Sequence, residues 1–214
     1  MWILTSSRRY SCIAISGLAG HPFGSWQRKG AEKTFMWIRD DLPQALPQVR
    51  FILYGYDSTL RSDSFQRIPD ISQALLQQLH ASGWTLSTCK PLLFLAHSLG
   101  GIVLKQALVT LANHPGTLEP LRDVIRGAIL FGVPNFGMEQ TALLSMVENR
   151  PNEELVTDLA PGSKYLSTIH DQMSGLSFLQ SVTLFWAYET QESPTVRVSY
   201  TKKSIIVPLA SASD

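Results

Sequence analysis

Apolar residues along this chain fall into two patterns that alternate. Short continuous runs, rich in β-branched and aromatic residues, come at Tyr10-Ser11-Cys12-Ile13-Ala14-Ile15-Ser16, over residues 49–54, 92–96, 125–132 and 182–188, and over 203–209. Runs of this length closed by Gly, Pro, Asn or Asp predict strands buried on both faces. Between them the apolar positions repeat at helical spacing. Phe35, Met36, Ile38 and Leu42 predict an amphipathic helix over 31–41 that Pro43 ends, and Ile71, Leu75, Leu76 and Leu79 predict a second over 69–81. Three more patterns cover 99–113, 138–149 and 163–173. Strands alternating with helices predict one α/β domain over 1–214, with a mainly parallel sheet of about six strands covered by helices on both faces. Residues 1–9 are expected to be disordered. Internal repeats, low-complexity segments and a linker to a second domain are absent from the sequence.

In such a sheet the functional site lies at the carboxyl ends of the strands. Ser16-Gly17, Tyr56-Asp57, Ser98, Asn135 and Glu189 all follow predicted strands there. The stretch Ala96-His97-Ser98-Leu99-Gly100 is the most informative of these. A predicted strand runs into it and a predicted helix leaves it, with small residues two before and two after the serine. That is the pattern G-x-S-x-G of a nucleophile elbow, with alanine in the first small position. The turn would lift the Ser98 hydroxyl out of the sheet at a helix N-terminus, where partial positive charge favours an anion.

Composition narrows the partners. The formal net charge is +1, which gives no reason to expect nucleic acid or an acidic polymer. Cys12 and Cys89 stand on apolar segments without metal-ligand spacing and read as buried, reduced thiols of an intracellular protein. No His/Cys/Asp/Glu cluster has the spacing of a metal site, and no cofactor is expected. No apolar run is long enough to span a membrane, so any membrane contact would be peripheral. The N-terminal Met1-Trp2-Ile3-Leu4-Thr5-Ser6-Ser7-Arg8-Arg9 does not read as a signal peptide, because its charges follow the apolar residues. Gly17-Leu18-Ala19-Gly20 lacks the lysine and the spacing of a phosphate-binding loop. Trp26, Phe35 and Trp37 read as core packing, and Leu18, Phe23, Leu99 and Phe136 are placed to line a pocket for an acyl chain.

Four segments together resemble a known family: Gly17-Leu18-Ala19-Gly20-His21-Pro22-Phe23-Gly24-Ser25-Trp26; Leu42-Pro43 through Tyr54-Gly55-Tyr56-Asp57-Ser58; Ala96-His97-Ser98-Leu99-Gly100-Gly101; and Phe131-Gly132-Val133-Pro134-Asn135-Phe136-Gly137. In that order they resemble the lipase-like serine esterases of the α/β-hydrolase fold, the group of the serine-active-site-containing proteins and the N-terminal domains of fungal NOD-like receptors. The resemblance implies Ser98 as nucleophile and an oxyanion hole of two backbone N–H groups, Leu18 and Leu99. It implies an ester or lipid substrate, and, in longer relatives, a fused or partner signalling domain. Where relatives begin the first loop His-Gly, this chain has Ser16-Gly17, and Asn135 stands where many carry histidine; Asn135 is given no catalytic role.

A serine hydroxyl needs a base to take its proton. The fold's order is serine, acid, histidine. Glu189 at the end of the fifth strand is the expected acid, ahead of Asp158 and Asp171. The histidine should follow the last strand, and relatives continue there into an aspartate-histidine segment, whereas this sequence ends at Asp214 without one. His97 belongs to the elbow, His21 precedes the serine, His114 ends the elbow helix, His170 precedes the acid and His80 ends a surface helix. The expectation is a serine esterase of lipase type with an incomplete triad, its C-terminal end short of the family's and its activity weak or lost. A hydrolase-like signalling or interaction module is the alternative, and acyl transfer in lipid remodelling a further one. The expected location is cytoplasmic, with association to endoplasmic reticulum or mitochondrial membranes as the alternative that the relatives suggest.

Overall fold

The computed structural model describes residues 8–27, 34–60, 64–139 and 141–188 of the 214. Within these residues the apolar runs form five strands: β1 (Tyr10–Ile15), β2 (Val49–Tyr54), β3 (Leu92–His97), β4 (Ile125–Phe131) and β5 (Thr183–Ala187). They make one sheet in the order β2-β1-β3-β4-β5, parallel throughout. Each run is apolar at successive positions because both faces are used. In β1, Ile13 and Ile15 enter one core while Cys12 and Ala14 enter the other. The sixth strand expected over 203–209 lies outside the described residues.

Chain direction assigns the helices to faces. From β1 the chain steps outward to the edge strand β2, then returns across the sheet to β3, β4 and β5. Right-handed crossovers put the helices of the first step on one face and those of the later steps on the other. Accordingly α1 (Trp37–Asp40) and α2 (Leu42–Ala45) pack on one face, while α3 (Ile68–Ala81), α4 (Leu99–Asn113) and α8 (Lys164–Ser174) pack on the opposite one. Short helices α5 (Pro120–Val124), α6 (Thr141–Val147) and α7 (Glu153–Thr157) fill the connections. The helix α3 begins where the sequence pattern places it, with the Asp70 carboxylate accepting the Arg67 N–H at 2.9 Å.

The expected helix over 31–41 is much shorter. Residues 31–33 lie outside the described residues, and Met36 is extended and bridges to Gln27. Helix starts only at Trp37, where the Asp40 carboxylate accepts the Met36 N–H at 2.7 Å. Pro43 does not end a helix but sits in the first turn of α2, where a missing N–H costs nothing. The expected helix over 138–149 contracts to α6, and α7 lies between the patterns expected over 138–149 and 163–173.

The two faces are covered unequally. The α3, α4 and α8 side encloses the larger core, with Phe94, Leu99, Ile102 and Leu104 all but fully buried. On the other face, α1, α2 and the turn Gly24–Trp26 cover β1 and β2. Toward β4 and β5 no described element lies over the sheet. There an apolar trough of about 510 Å³ opens between Leu42, Phe51, Leu93, Ile129 and Phe185. Ile129 is 37% exposed and Phe185 62%, high values for sheet residues of this size.

Candidate active site

The carboxyl ends of the five strands are tied to one another by hydrogen bonds, and these bonds shape the site. After β1 and β2, the Tyr56 hydroxyl donates to the Ser16 carbonyl at 2.8 Å, the Ser58 hydroxyl to the Gly17 carbonyl at 3.2 Å, and the Ala19 N–H to the Ser58 carbonyl at 3.0 Å. After β3 and β4, the Ser98 N–H donates to the Phe131 carbonyl at 2.9 Å. The Gly132 N–H closes onto Ala187 of β5 at 2.8 Å. Tyr56 is half-buried, and the loss of solvent around its hydroxyl pushes it above its ordinary range and keeps it a neutral donor.

Ser98 occupies the junction of β3 and α4 with φ 52° and ψ −125°, a left-handed conformation in a residue that is not glycine. Such a backbone costs about 1–3 kcal/mol and persists only where its surroundings fix it. Here the surroundings are backbone. A side chain at Gly100 would begin 2.5 Å from the Ser16 carbonyl oxygen, and one at Gly17 would begin 2.8 Å from the Ser98 Cβ. The first loop, the elbow and the first turn of α4 therefore meet without intervening side chains. This contact sets Leu18, the residue after Gly17, near Ser98. Leu99 opens α4, where the first backbone N–H groups lack intrahelical acceptors.

The other expected residues are distributed as follows. Glu189 lies outside the described residues. Asp158 ends α7 and Asp171 lies within α8, neither at a strand end. Of the five histidines, His21 uses its Nδ1 to accept the N–H groups of Phe23 and Gly24, both at 3.2 Å, so the proton resides on Nε2. His97 packs edge-on to Trp26, ring centroids 6.4 Å apart, and His170 lies 5.5 Å from the Phe136 ring. His80 meets the Thr85 hydroxyl, and His114 follows the last turn of α4. Trp26 and Trp37 pack edge-to-face at 5.9 Å, as core residues. The four residues read as an acyl pocket divide: Leu18 and Leu99 join the larger core, Phe23 joins the smaller, and Phe136 is exposed. Both cysteines are free, and burial pushes the Cys12 thiol up to about 12.

One polar pair escaped the sequence reading. The Lys105 ammonium donates to the Asn135 Oδ1 at 2.9 Å, with both residues buried, and lies 5.7 Å from the Trp186 ring centroid. Its signal was a lone cation in a helix that is apolar nearly all round, a place where lysine is almost never buried without a specific partner. Among the described residues, no group of three or more His, Cys, Asp or Glu could hold a metal ion. No helix among them is long and apolar enough to cross a membrane.

Known proteins bear on this geometry. No family model matches the chain. The chain is 27% identical over 222 residues to Protein SERAC1 of Mus musculus, covering 94% of this chain and 33% of that protein, and 28% identical over 145 residues to the SERAC1 of Homo sapiens, covering 58% and 21%. The chain thus spans about a third or less of the curated relatives it matches. Among solved structures, the phospholipase PlaB of Legionella pneumophila superposes with a TM-score of 0.56 at 13% identity, over 82% of this chain and 37% of that one. Lipase B of Aspergillus fumigatus superposes with a TM-score of 0.56 at 12% identity, over 95% and 43%. A parallel sheet of this order, with a left-handed serine between strand and helix at its carboxyl edge, is the α/β-hydrolase fold of these lipases.

Proposed function

We propose that this chain carries the nucleophile portion of a lipase-like serine hydrolase acting on carboxylic esters. The left-handed backbone at Ser98 is the observation that carries the reading. The strain falls at the junction of β3 and α4, at the carboxyl edge of the sheet, where an elbow would present a hydroxyl. In this reading the Ser98 Oγ attacks the ester carbonyl carbon, and the carbonyl oxygen becomes an oxyanion held by the Leu18 and Leu99 N–H groups. Glu189 would orient the histidine that takes the serine proton. The names of the structural neighbours agree in kind, since they include a phospholipase and a lipase. An acyl transferase would use the same steps with an alcohol replacing water as second acceptor.

The histidines limit the activity expected of these 214 residues. His21 already spends its Nδ1 lone pair on two backbone donors, and the His97 ring lies against Trp26. In this reading neither is assigned the Ser98 proton. This arrangement also favours a second reading, a hydrolase-like interaction module in which the fold outlasts the chemistry.

The test is covalent labelling with a fluorophosphonate, alongside turnover of a p-nitrophenyl ester. The chain alone is expected to label slowly at Ser98 and to turn over the ester poorly or not at all, with Ser98→Ala removing the label. Rapid labelling abolished by Ser98→Ala would show a base that the described histidines do not supply. No labelling at Ser98, even in a longer form that continues past Asp214 into an Asp-His segment, would defeat the hydrolase reading and leave the interaction module.

A further inference from the structure

Lys105 lies one helical turn beyond Gly101 on the same side of α4, since residues i and i+4 share a face. Opposite them runs the loop that leaves β4. Val133 seats its side chain in the space that a Cβ on Gly101 would fill, and the Asn135 Oδ1 accepts from the Lys105 ammonium at 2.9 Å. The Asn135 N–H donates to the Val133 carbonyl at 2.9 Å, so the loop turns tightly at Pro134, and 133 and 135 meet 101 and 105, which lie about one helical turn of 5.4 Å apart. The ammonium also faces the Trp186 ring of β5, at 5.7 Å from its centroid. A single cation thus touches the elbow helix, the loop after β4 and the carboxyl end of β5.

Burying that charge is costly. A lysine 3% exposed has given up nearly all its hydration, and an apolar residue of similar length would fill the same volume without that penalty. The carbonyl that fixes the Ser98 N–H belongs to Phe131, at the root of the same loop.

We propose that Lys105 is a positioning residue. Its ammonium locks the loop over residues 132–138 to the elbow helix and so fixes the turn that presents Ser98. The consequence for reactivity rests on the reading of Ser98 as a nucleophile; the consequence for the loop does not.

The experiment compares wild type, Lys105→Met, Lys105→Arg and the double variant Lys105→Met/Asn135→Leu, all as the 214-residue chain. Hydrogen exchange is read by peptide and Ser98 labelling by a fluorophosphonate over hours. In Lys105→Met, exchange across 132–138 is expected to rise at least about tenfold while peptides of β1 and α3 stay protected, and labelling to fall by a similar factor. Lys105→Arg is expected to retain part of both. The double variant removes the buried polar pair entirely and is expected to recover thermal stability without recovering labelling or loop protection. Recovery of either in the double variant would mean that Lys105 only satisfies Asn135, and would overturn the proposal. So would loop protection unchanged in Lys105→Met, or protection lost uniformly across the domain. If the 214-residue wild type does not label at all, the exchange pattern alone decides the role of Lys105.

Discussion

A left-handed serine is paid for by the rest of the fold, and the cost can be read out by substitution at residue 98. Ser98→Ala keeps the strain, while Ser98→Gly relieves it, because glycine adopts φ 52° freely. Relief of about 1–3 kcal/mol, offset by about 0.4–1 kcal/mol of added freedom in the unfolded chain, leaves the glycine variant more stable than the alanine variant by about 1 kcal/mol. Chemical denaturation of the two checks this; an alanine variant more stable than the glycine variant by about 0.4–1 kcal/mol would mean that the turn is unstrained. A second residue-scale test concerns Asp158. Burial raises its carboxyl above the ordinary range, the Arg67 charge opposes that shift, and Oδ2 is buried without a hydrogen-bond partner in the structure. For an acid with a raised folded pKa, the penalty is absent below the unfolded value and grows as pH rises through the interval between the two. Asp158→Asn is therefore expected to raise the melting midpoint at pH 7 and to change it little at pH 3.5, with calorimetry at both pH values as the check. An equal gain at both would assign the effect to packing instead.

At the scale of elements, the contact of α4 with the first loop is the joint on which the site depends. Gly100→Ala would drive a methyl into the Ser16 and Ile15 carbonyl oxygens, 2.5 and 2.8 Å away, and neither can yield without moving β1. A loss of about 1–3 kcal/mol is expected, with Ser98 labelling falling further than stability does. Much of this was legible beforehand. Strands β1 to β5 announce themselves as apolar runs, β1 and β3 with both faces covered, and the small residues around Ser98 mark the close approach of strand and helix. The short helices were not legible. Met36 and Trp37 share an apolar spacing with Phe35 and Ile38, yet the bond from Met36 to Asp40 decides where the helix begins, and periodicity cannot see a single carboxylate. The partnership of Lys105 with Asn135 joins positions thirty residues apart, beyond any local pattern. His21 offered a ring near the site, and only geometry shows that its Nδ1 is occupied by a turn.

Over the whole molecule, the asymmetry of the two faces governs behaviour in solution. Parallel sheets are ordinarily covered on both sides. Among the described residues, the side bearing Ile129 and Phe185 is covered only near β1 and β2. The chain is expected to bind an apolar fluorescent dye such as ANS while folded, and Ile129→Lys with Phe185→Lys to reduce the signal without changing the far-ultraviolet circular dichroism. A dye signal unaffected by the pair would mean that the trough is closed in solution.

The bond from Ser98 to Phe131 has a further consequence in time. During synthesis Ser98 leaves the ribosome more than thirty residues before its acceptor, and the Gly132 N–H waits longer still for Ala187. The first strand, β1, lies inside the sheet between β2 and β3, so both of its pairings close over long separations. The elbow is thus among the last features to take shape, though it lies in the first half of the chain. A nascent chain stalled at residue 120 would hold β1, β2 and α3 yet present no fixed serine, so covalent labelling of stalled chains would date the assembly of the site.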